Sequence, residues 1–289
     1  MTTPMTQGVH SLAGLGADVA WPDADAGRAR VPGNATALDD LAAWLAGVQG
    51  GYPPNDPGKV RGLLFGTALP EAATIAVADL VGASVRAVAT LSGPVADGLG
   101  AGVALVDTAV DEGADLLVVG ALCTPALCTT AAVTVAVLTD TEPVKVLPRG
   151  TALDPDTWIE RALDVRDRRR AAMGASDVPD DLLEALGDTD LAAITACLLR
   201  AAARRTPVLI DGPVAAAAAL LAHRVQPRVS LWLRAADRGK DPVQHLALGR
   251  IDLSTVLDLG TSGSALTAGL VAVTVVRAAV AEQRGSADV

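Results

Sequence analysis

Short apolar runs alternate with longer amphipathic or alanine-rich segments along most of this chain. The short runs are rich in Val, Leu and Ile and predict strands at 62–65, 84–88, 116–119, 144–147, 208–210, 229–233 and 255–259. The longer segments predict helices at 35–48, 70–81, 99–111, 130–138, 156–173, 191–204 and 265–282. This alternation is typical of βα units built around a parallel sheet.

The predicted fold class is therefore α/β, with a Rossmann-like, mostly parallel sheet flanked by helices. A small helical subdomain is expected from the N- and C-terminal segments. Residues 1–34 are rich in Gly, Pro and Ala and show little periodicity, so they predict an extended N-terminal arm. Residues 35–289 then form the α/β domain with its helical subdomain.

Ligands of open parallel sheets bind outside the carboxyl ends of the strands, which directs attention to the loops after 119, 210 and 259. Residues in or just after these loops are expected to converge at one end of the sheet and bind substrate. They are Gly120, Thr129, Thr130, Asp211, Gly212, Gly260 and Gly263.

The run 120–130 follows a predicted strand and opens a helix, so its backbone N–H groups could hold a phosphate at the positive end of that helix. Thr129 and Thr130 could add hydroxyl donors. A capped helix start without a ligand explains the same pattern. Cys123 and Cys128 are close in sequence, but zinc sites need four ligands and no further Cys or His lies nearby. No metal and no cofactor are expected.

Other chemistry-bearing residues carry weaker signals. Asp211 ends a strand, where it can act as a proton acceptor or simply form an Asp-Gly turn. The acidic side chains Asp107, Asp111, Glu112 and Asp115 are read as one solvated helix face. The glycines of 98–102 lack the dinucleotide-binding spacing and a preceding strand. Among the three histidines, His245 is the one that could reach the site from its loop.

Composition excludes several classes of partner. The formal net charge of −10 argues against nucleic acid, whose affinity depends on Lys and Arg. The most apolar run, 265–276, is shorter than the roughly 20 residues of a membrane span. A polar N-terminus and an odd number of cysteines favour a cytoplasmic protein. Two apolar helices, 214–222 and 265–276, are not both expected to be covered within one chain, which predicts a dimer or a partner chain.

Several segments resemble one enzyme family. The run 207–212, Pro-Val-Leu-Ile-Asp-Gly, matches its P-V-L-(L/I)-D-G segment almost letter for letter, and 32–41, 112–120 and 138–144 resemble further segments. The family is the nicotinate-nucleotide:dimethylbenzimidazole phosphoribosyltransferases of cobalamin lower-ligand synthesis. The resemblance implies a dimer with a Rossmann-like domain that moves ribose phosphate from nicotinate mononucleotide to a benzimidazole nitrogen.

The chain departs from that family at the residues that matter most for catalysis. The family's general base is the Glu of an L-G-E-G-(T/S)-G-A-A motif, whereas the matching run 259–266 has Thr261 at that place. Ala121 replaces an acidic residue, Cys128 replaces an Asn, and Pro125 cannot donate an N–H. The base pocket's A-D-H-G-V segment has no counterpart after Phe65.

These departures predict a shortened, degenerate and non-catalytic family member that binds nicotinate mononucleotide or a related nucleotide, or an active paralogue. One alternative is an active phosphoribosyltransferase that makes α-ribazole phosphate with a substitute base, Asp258 or Asp211. Another is a structural or assembly protein on the same fold, since a fold does not fix a function.

Overall fold

A computed structural model of the protein describes residues 11–28, 35–148, 154–261 and 266–287. Its strands are β1 Val60–Phe65, β2 Ser84–Val88, β3 Leu116–Ala121, β4 Val208–Asp211, β5 Leu233–Asp237 and β6 Thr255–Leu257. Its helices are α1 Leu12–Ala17, α2 Ala24–Arg28, α3 Ala37–Gln49, α4 Ala72–Leu80, α5 Val95–Asp111, α6 Pro125–Leu138, α7 Pro155–Ala172, α8 Pro179–Leu186, α9 Thr189–Ala203, α10 Gly212–Val225, α11 Pro242–Arg250 and α12 Thr267–Ala287.

The six strands form one sheet in the order β2-β1-β3-β4-β5-β6, and every neighbouring pair is parallel. Strands β1, β3 and β4 are almost wholly buried, as the apolar runs in their sequence predict. Parallel pairing requires a crossover after each strand, and the intervening helices supply it. The α/β fold class with a flanked parallel sheet is confirmed.

Helices cover both faces of the sheet. On one face α12 crosses β3, β4, β5 and β6 and packs against α3 and α4. On the other face α10 contacts β3 and β4 and is surrounded by α6, α9 and α11. The α5–α9 contact depends on Gly98 and Gly102, because a Cβ at either would collide with the backbone of α9. Close helix packing therefore accounts for Gly98 and Gly102 in the glycine run.

Two predicted strands are wrong. Residues 143–145 form a 3₁₀ turn, since Pro143 at its start has no N–H for a ladder. A second 3₁₀ segment, Pro227–Trp232, occupies most of the predicted strand 229–233, so β5 begins only at Leu233. The shift matters for function because it moves Asp237 to the carboxyl end of β5.

The described part of the N-terminal segment is not extended. It contains α1 and α2, and α1 begins at Leu12 after Ser11, whose side chain caps the helix. Leu12 and Val19 are buried, and the indole N–H of Trp232 donates to the Ala20 carbonyl. Periodicity fails here because helices of five or six residues are too short to show it. The placement of a domain boundary near residue 35 stays a prediction.

The acidic side chains that predicted a solvated helix face also have specific partners. Asp107 accepts bidentate hydrogen bonds from Arg200 and a further one from Arg204. Asp111 pairs with Arg204, Glu112 pairs with Arg61, and Asp115 accepts the Gly58 and Lys59 N–H groups. Asp111, Glu112 and Asp115 are exposed, as a solvated face predicts. The prediction missed the ion pairs because their cations come from β1 and the end of α9, far away in sequence.

The dimer was predicted from two apolar helices that one chain was not expected to cover, and that expectation is wrong. Residues 213–222 of α10 are all buried, and Leu270, Val273 and Val276 of α12 are fully covered within the chain. Within the described residues, no helix is long and apolar enough to cross a membrane. The same part of the chain holds no group of three or more His, Cys, Asp or Glu side chains arranged to bind a metal.

Candidate ligand site at the carboxyl edge of the sheet

The strand order reverses between β1 and β3, since the chain moves outward to β2 and then returns to the other side of β1. Such a switch point leaves a crevice outside the carboxyl ends of the two strands. Here the loops after β1 and β3 are held together, because Leu122 N–H donates to the Phe65 carbonyl at 2.8 Å. Gly66 has a φ of 79° and approaches the Leu122 carbonyl, where a Cβ would collide. The candidate site is centred on this edge.

The loop after β3 is shorter than predicted, since α6 begins at Pro125 and not at Thr130. Thr124 caps the helix by accepting the Leu127 N–H, and Pro125 occupies the first helical position, where proline is favoured. A disulfide joins Cys123 to Cys128 across this cap, with 5.3 Å between their Cα atoms. The loop that was expected to hold phosphate is therefore a capped and cross-linked helix start.

Thr129 and Thr130 lie in α6, and their hydroxyl groups donate within the helix. Thr129 donates to the Pro125 carbonyl and Thr130 to the Ala126 carbonyl. Thr130 is buried, and its oxygen also accepts a 2.9 Å hydrogen bond from Arg168 of α7. Neither hydroxyl proton is free for a phosphate in this arrangement. Sequence reasoning did not identify Arg168, a cation that contacts α6 through Thr130.

Asp211 is a buried carboxylate at the carboxyl end of β4, opposite Gly120 of β3. Its Oδ2 accepts the Gly269 N–H of α12 at 2.9 Å, so it caps a helix that is distant in sequence. Burial raises the pKa of Asp211 to about 7; the Asp237 charge adds to the rise, while N–H groups of Gly269 and Ala268 oppose it. Asp211 is thus both an anchor for α12 and a group that titrates near neutral pH.

Asp237 is fully buried at the carboxyl end of β5 and binds the loop after β6. One oxygen accepts the Leu259 N–H at 2.7 Å, and the other accepts the Thr261 N–H at 2.8 Å and the Thr261 hydroxyl at 2.5 Å. Burial raises the pKa of Asp237, but the bonds from Thr261 and Leu259 outweigh it, so the pKa lies below its ordinary value. Asp237 is therefore an ionised anchor for residues 259–261.

Leu266 fills the sheet face beneath the switch point. Its side chain has no exposed surface and lies against Gly62 of β1 and Gly120 of β3, where added Cβ atoms would meet its methyl groups. Its φ of 72° is a left-handed conformation that is uncommon for a leucine. Small residues on two strands and a strained leucine together close this part of the crevice.

The remaining predicted site residues do not all lie together. Gly120, Asp211 and Gly212 come together at the ends of β3 and β4, whereas Gly260 lies in the loop after β6, beside Lys240. Gly212 and Gly260 have φ values of 89° and 63°, which explains the glycines. Asp258 is exposed and lies 3.5 Å from Arg238. Gly263 lies outside the described residues.

The histidines show no catalytic arrangement among the described residues. His245 Nε2 is 2.7 Å from the Gly239 carbonyl, in the loop after β5. His223 Nδ1 is 2.7 Å from Ser230 Oγ near the end of α10. Neither imidazole is hydrogen-bonded to a nucleophile and a carboxylate together, which a catalytic triad requires.

Comparisons with known proteins match this fold and chain. The family model described as "Phosphoribosyltransferase" (DBI_PRT) matches residues 82–288. The chain belongs to this phosphoribosyltransferase family. Two similar relatives are the nicotinate-nucleotide–dimethylbenzimidazole phosphoribosyltransferases of Mycobacterium ulcerans (strain Agy99) and Mycobacterium tuberculosis (strain ATCC 25618 / H37Rv). The first is 34% identical over 84% of this chain and 83% of its own length, and the second is 33% identical over 84% and 82%.

Two solved structures share the fold. CobT from Thermus thermophilus superposes with a TM-score of 0.71 at 22% identity, covering 86% of this chain and 90% of its own. A nicotinate-nucleotide–dimethylbenzimidazole phosphoribosyltransferase structure from the same organism gives a TM-score of 0.74 at 21% identity, covering 94% and 95%. The predicted family membership is confirmed.

Within this phosphoribosyltransferase chain, sequence reasoning missed Asp237 and Leu266 as organising residues. Asp237 stood inside a predicted loop because β5 was placed four residues too early. The sequence contained a signal for Asp237, because the mostly apolar stretch Leu-Arg-Ala-Ala ends directly at this aspartate. No local pattern marks Leu266 or Arg168, because their partners lie on distant strands and helices.

Proposed function

We propose that this protein is a degenerate member of the phosphoribosyltransferase family, which binds nicotinate mononucleotide or a related nucleotide at the carboxyl edge without catalysing efficient transfer. The name of the similar mycobacterial enzymes, nicotinate-nucleotide–dimethylbenzimidazole phosphoribosyltransferase, supports the ligand class. The switch point between β1 and β3 supports its location. A cytoplasmic location also stays a prediction.

One observation carries the non-catalytic part of the proposal. Thr261 stands where the resembling motif has its general base, and both its N–H and its hydroxyl donate to buried Asp237. A threonine hydroxyl cannot accept a proton near pH 7, and a positioned general base contributes about 10²–10⁴-fold to a rate. Asp237 in turn is occupied by three hydrogen bonds from residues 259–261.

A second candidate function is an active transferase that uses Asp211 as its base. The pKa of about 7 favours this reading, since an effective base titrates near the working pH. The contact with Gly269 and the near-complete burial of Asp211 count against it, because an incoming base would have to displace α12. Asp258 is exposed but lies beside Arg238 rather than in the crevice.

The test measures α-ribazole phosphate formation and nicotinate mononucleotide binding on the same purified protein. The proposal expects saturable binding with no turnover, and no turnover from Thr261→Glu alone, since Leu266 and the capped β3–α6 loop remain in place. Thr261→Gln serves as the matched neutral control. Wild-type turnover that disappears in Asp211→Asn, with binding retained, would establish the second candidate instead.

Failure to bind any nucleotide would favour a structural or assembly role. A homodimer, or a heteromer with an active paralogue, also stays a prediction. Light scattering at micromolar concentration tests it, alone and with a full-length family enzyme. Exposed leucines and isoleucine of the α4 region, Leu69, Ile75 and Leu80, are the apolar side chains that a partner would cover.

A further inference from the structure

A small cavity lies away from the carboxyl edge, where the C-terminal ends of three helices meet. Its volume is about 350 Å³, at the lower end of the range for small-molecule sites. Helices α6, α10 and α11 end beside it, and the segment between α7 and α8 closes one side. The apolar part of its lining is Val137, Leu138, Leu220 and Pro227.

The polar part of the lining is mainly cationic, in a chain of net charge −10. Arg224, Arg250 and His223 line the cavity together with Ser176 and Asp177. His223 is half-buried, and burial lowers its pKa, with the Arg250 charge adding to the effect. The positive charge of Arg250 thus disfavours protonation of His223, and the carboxylate of Asp177 lines the same cavity.

The two arginines have no protein partner among the described residues. Neither guanidinium forms a hydrogen bond with another side chain or a backbone carbonyl, and neither is within ion-pair distance of Asp177. Nδ1 of His223 is beside Ser230, which leaves Nε2 without a partner in the same part of the chain. Both guanidinium groups, and Nε2 of His223, are thus available to a ligand.

The helix dipole accounts for cations at helix C-termini, but not for the convergence of three such side chains from two helices on one cavity. Cations are favoured near helix C-termini, and those that stabilise them commonly bond the last carbonyls. Arg224 and Arg250 make no such bonds among the described residues. Guanidinium groups present several N–H donors in a planar fork that matches phosphate oxygens.

We propose that this cavity binds a small phosphate ester, with Arg224, Arg250 and His223 around the phosphate and the apolar floor against the organic group. The site is separate from the carboxyl edge, because α10 begins at that edge with Gly212 and ends here with Val225. The inference does not depend on the proposed nucleotide binding.

The test uses NMR of His223, one of only three histidines in the chain, during titration with inorganic phosphate and with phenyl phosphate. The site predicts a saturable shift of the His223 ring signals, with phenyl phosphate binding more tightly because its apolar ring also contacts the floor. Arg224→Gln and Arg250→Gln should each weaken binding at least about tenfold. Arg86→Gln, which removes the same charge from an exposed position on β2, should leave it unchanged.

Three outcomes would overturn the proposal: no saturable shift at millimolar ligand, equal affinity in the arginine variants, or an equal response to acetate. Melting curves without ligand confirm that each variant is folded. Nicotinate mononucleotide forms a separate arm of the experiment. If Thr261 variants abolish the response to nicotinate mononucleotide and Arg250→Gln leaves it intact, the nucleotide binds at the carboxyl edge.

Discussion

The buried carboxylates at the carboxyl end of the parallel sheet have hydrogen-bond partners, whereas one cavity at the amino end has arginines without partners among the described residues. At the carboxyl end, buried Asp211 and Asp237 accept hydrogen bonds from α12 and from residues 259–261. At the amino end, a cavity of about 850 Å³ opens between Trp21, Asp115, Pro207 and Trp232. The cationic cavity at the ends of α6, α10 and α11 contains two arginines, Arg224 and Arg250, that have no partner within the part of the chain that the structure describes.

This contrast indicates where substitutions should affect folding and where they should affect binding. A buried polar group that loses its partner destabilises the folded state by its full desolvation penalty. An exposed arginine without a partner contributes little to the folded state. We therefore expect carboxyl-end variants that remove a hydrogen-bond acceptor to lose stability and variants of the cationic cavity to keep it.

The largest expected effect is that of Asp237→Ala. Removal of the carboxylate breaks three hydrogen bonds from Leu259 and Thr261, each worth about 1.5–3 kcal/mol to a charged acceptor, and we expect a loss of about 5 kcal/mol in the free energy of unfolding. Urea unfolding measures it. Asp237→Asn, which keeps one acceptor oxygen, should lose less. A loss below about 1 kcal/mol in the alanine variant would show that the loop is not held by this side chain.

Asp211 should make stability depend on pH. Its pKa is about 7 in the folded protein against an ordinary value of 3.8, so the folded state binds this proton more tightly. The resulting stability is fully present below pH 3.8 and is lost as the pH rises through about 7, by about 4 kcal/mol.

Asp211→Asn should remove that pH dependence while still accepting the Gly269 N–H. Urea unfolding of both proteins at a series of pH values gives the difference, which cancels the contributions of other groups. The variant should be the more stable protein above neutral pH. Parallel pH profiles for the two proteins would contradict the raised pKa.

Leu266→Ala tests how tightly the face beneath the switch point is filled. The substitution opens a cavity against Gly62 and Gly120, and we expect a loss of about 3 kcal/mol in the free energy of unfolding. Leu266→Gly also removes the side chain but relieves the left-handed backbone, so it should be no more damaging than Leu266→Ala. Thermal unfolding of the two variants provides the comparison.

The smallest expected effect is at the cationic cavity. Arg224→Gln and Arg250→Gln should change the free energy of unfolding by no more than about 0.5 kcal/mol in buffer without phosphate. Unfolding in phosphate should then separate them from the wild type, because only the wild type gains stability from the bound ligand. A large loss without ligand would mean that these arginines support the fold.

The sequence by itself determined the parallel α/β fold and the family. Apolar runs of strand length specified β1, β3 and β4, and the segment before Gly212 carried the family resemblance. Local signals also located the glycine turn at Gly212 and the placement of Gly120 and Asp211 together at one edge. These features depend on neighbours in sequence or on the general geometry of parallel sheets.

Only the tertiary structure decided what the site residues do. Thr130 looked like a phosphate donor, but it is buried against Arg168, which follows it by 38 positions in the chain. Asp211 looked like a turn or a base, but it caps α12, and Asp237 holds Thr261 from the neighbouring strand. The physical reason is that a buried polar group must be satisfied by whatever donor folding brings to it, and local sequence does not record that partner.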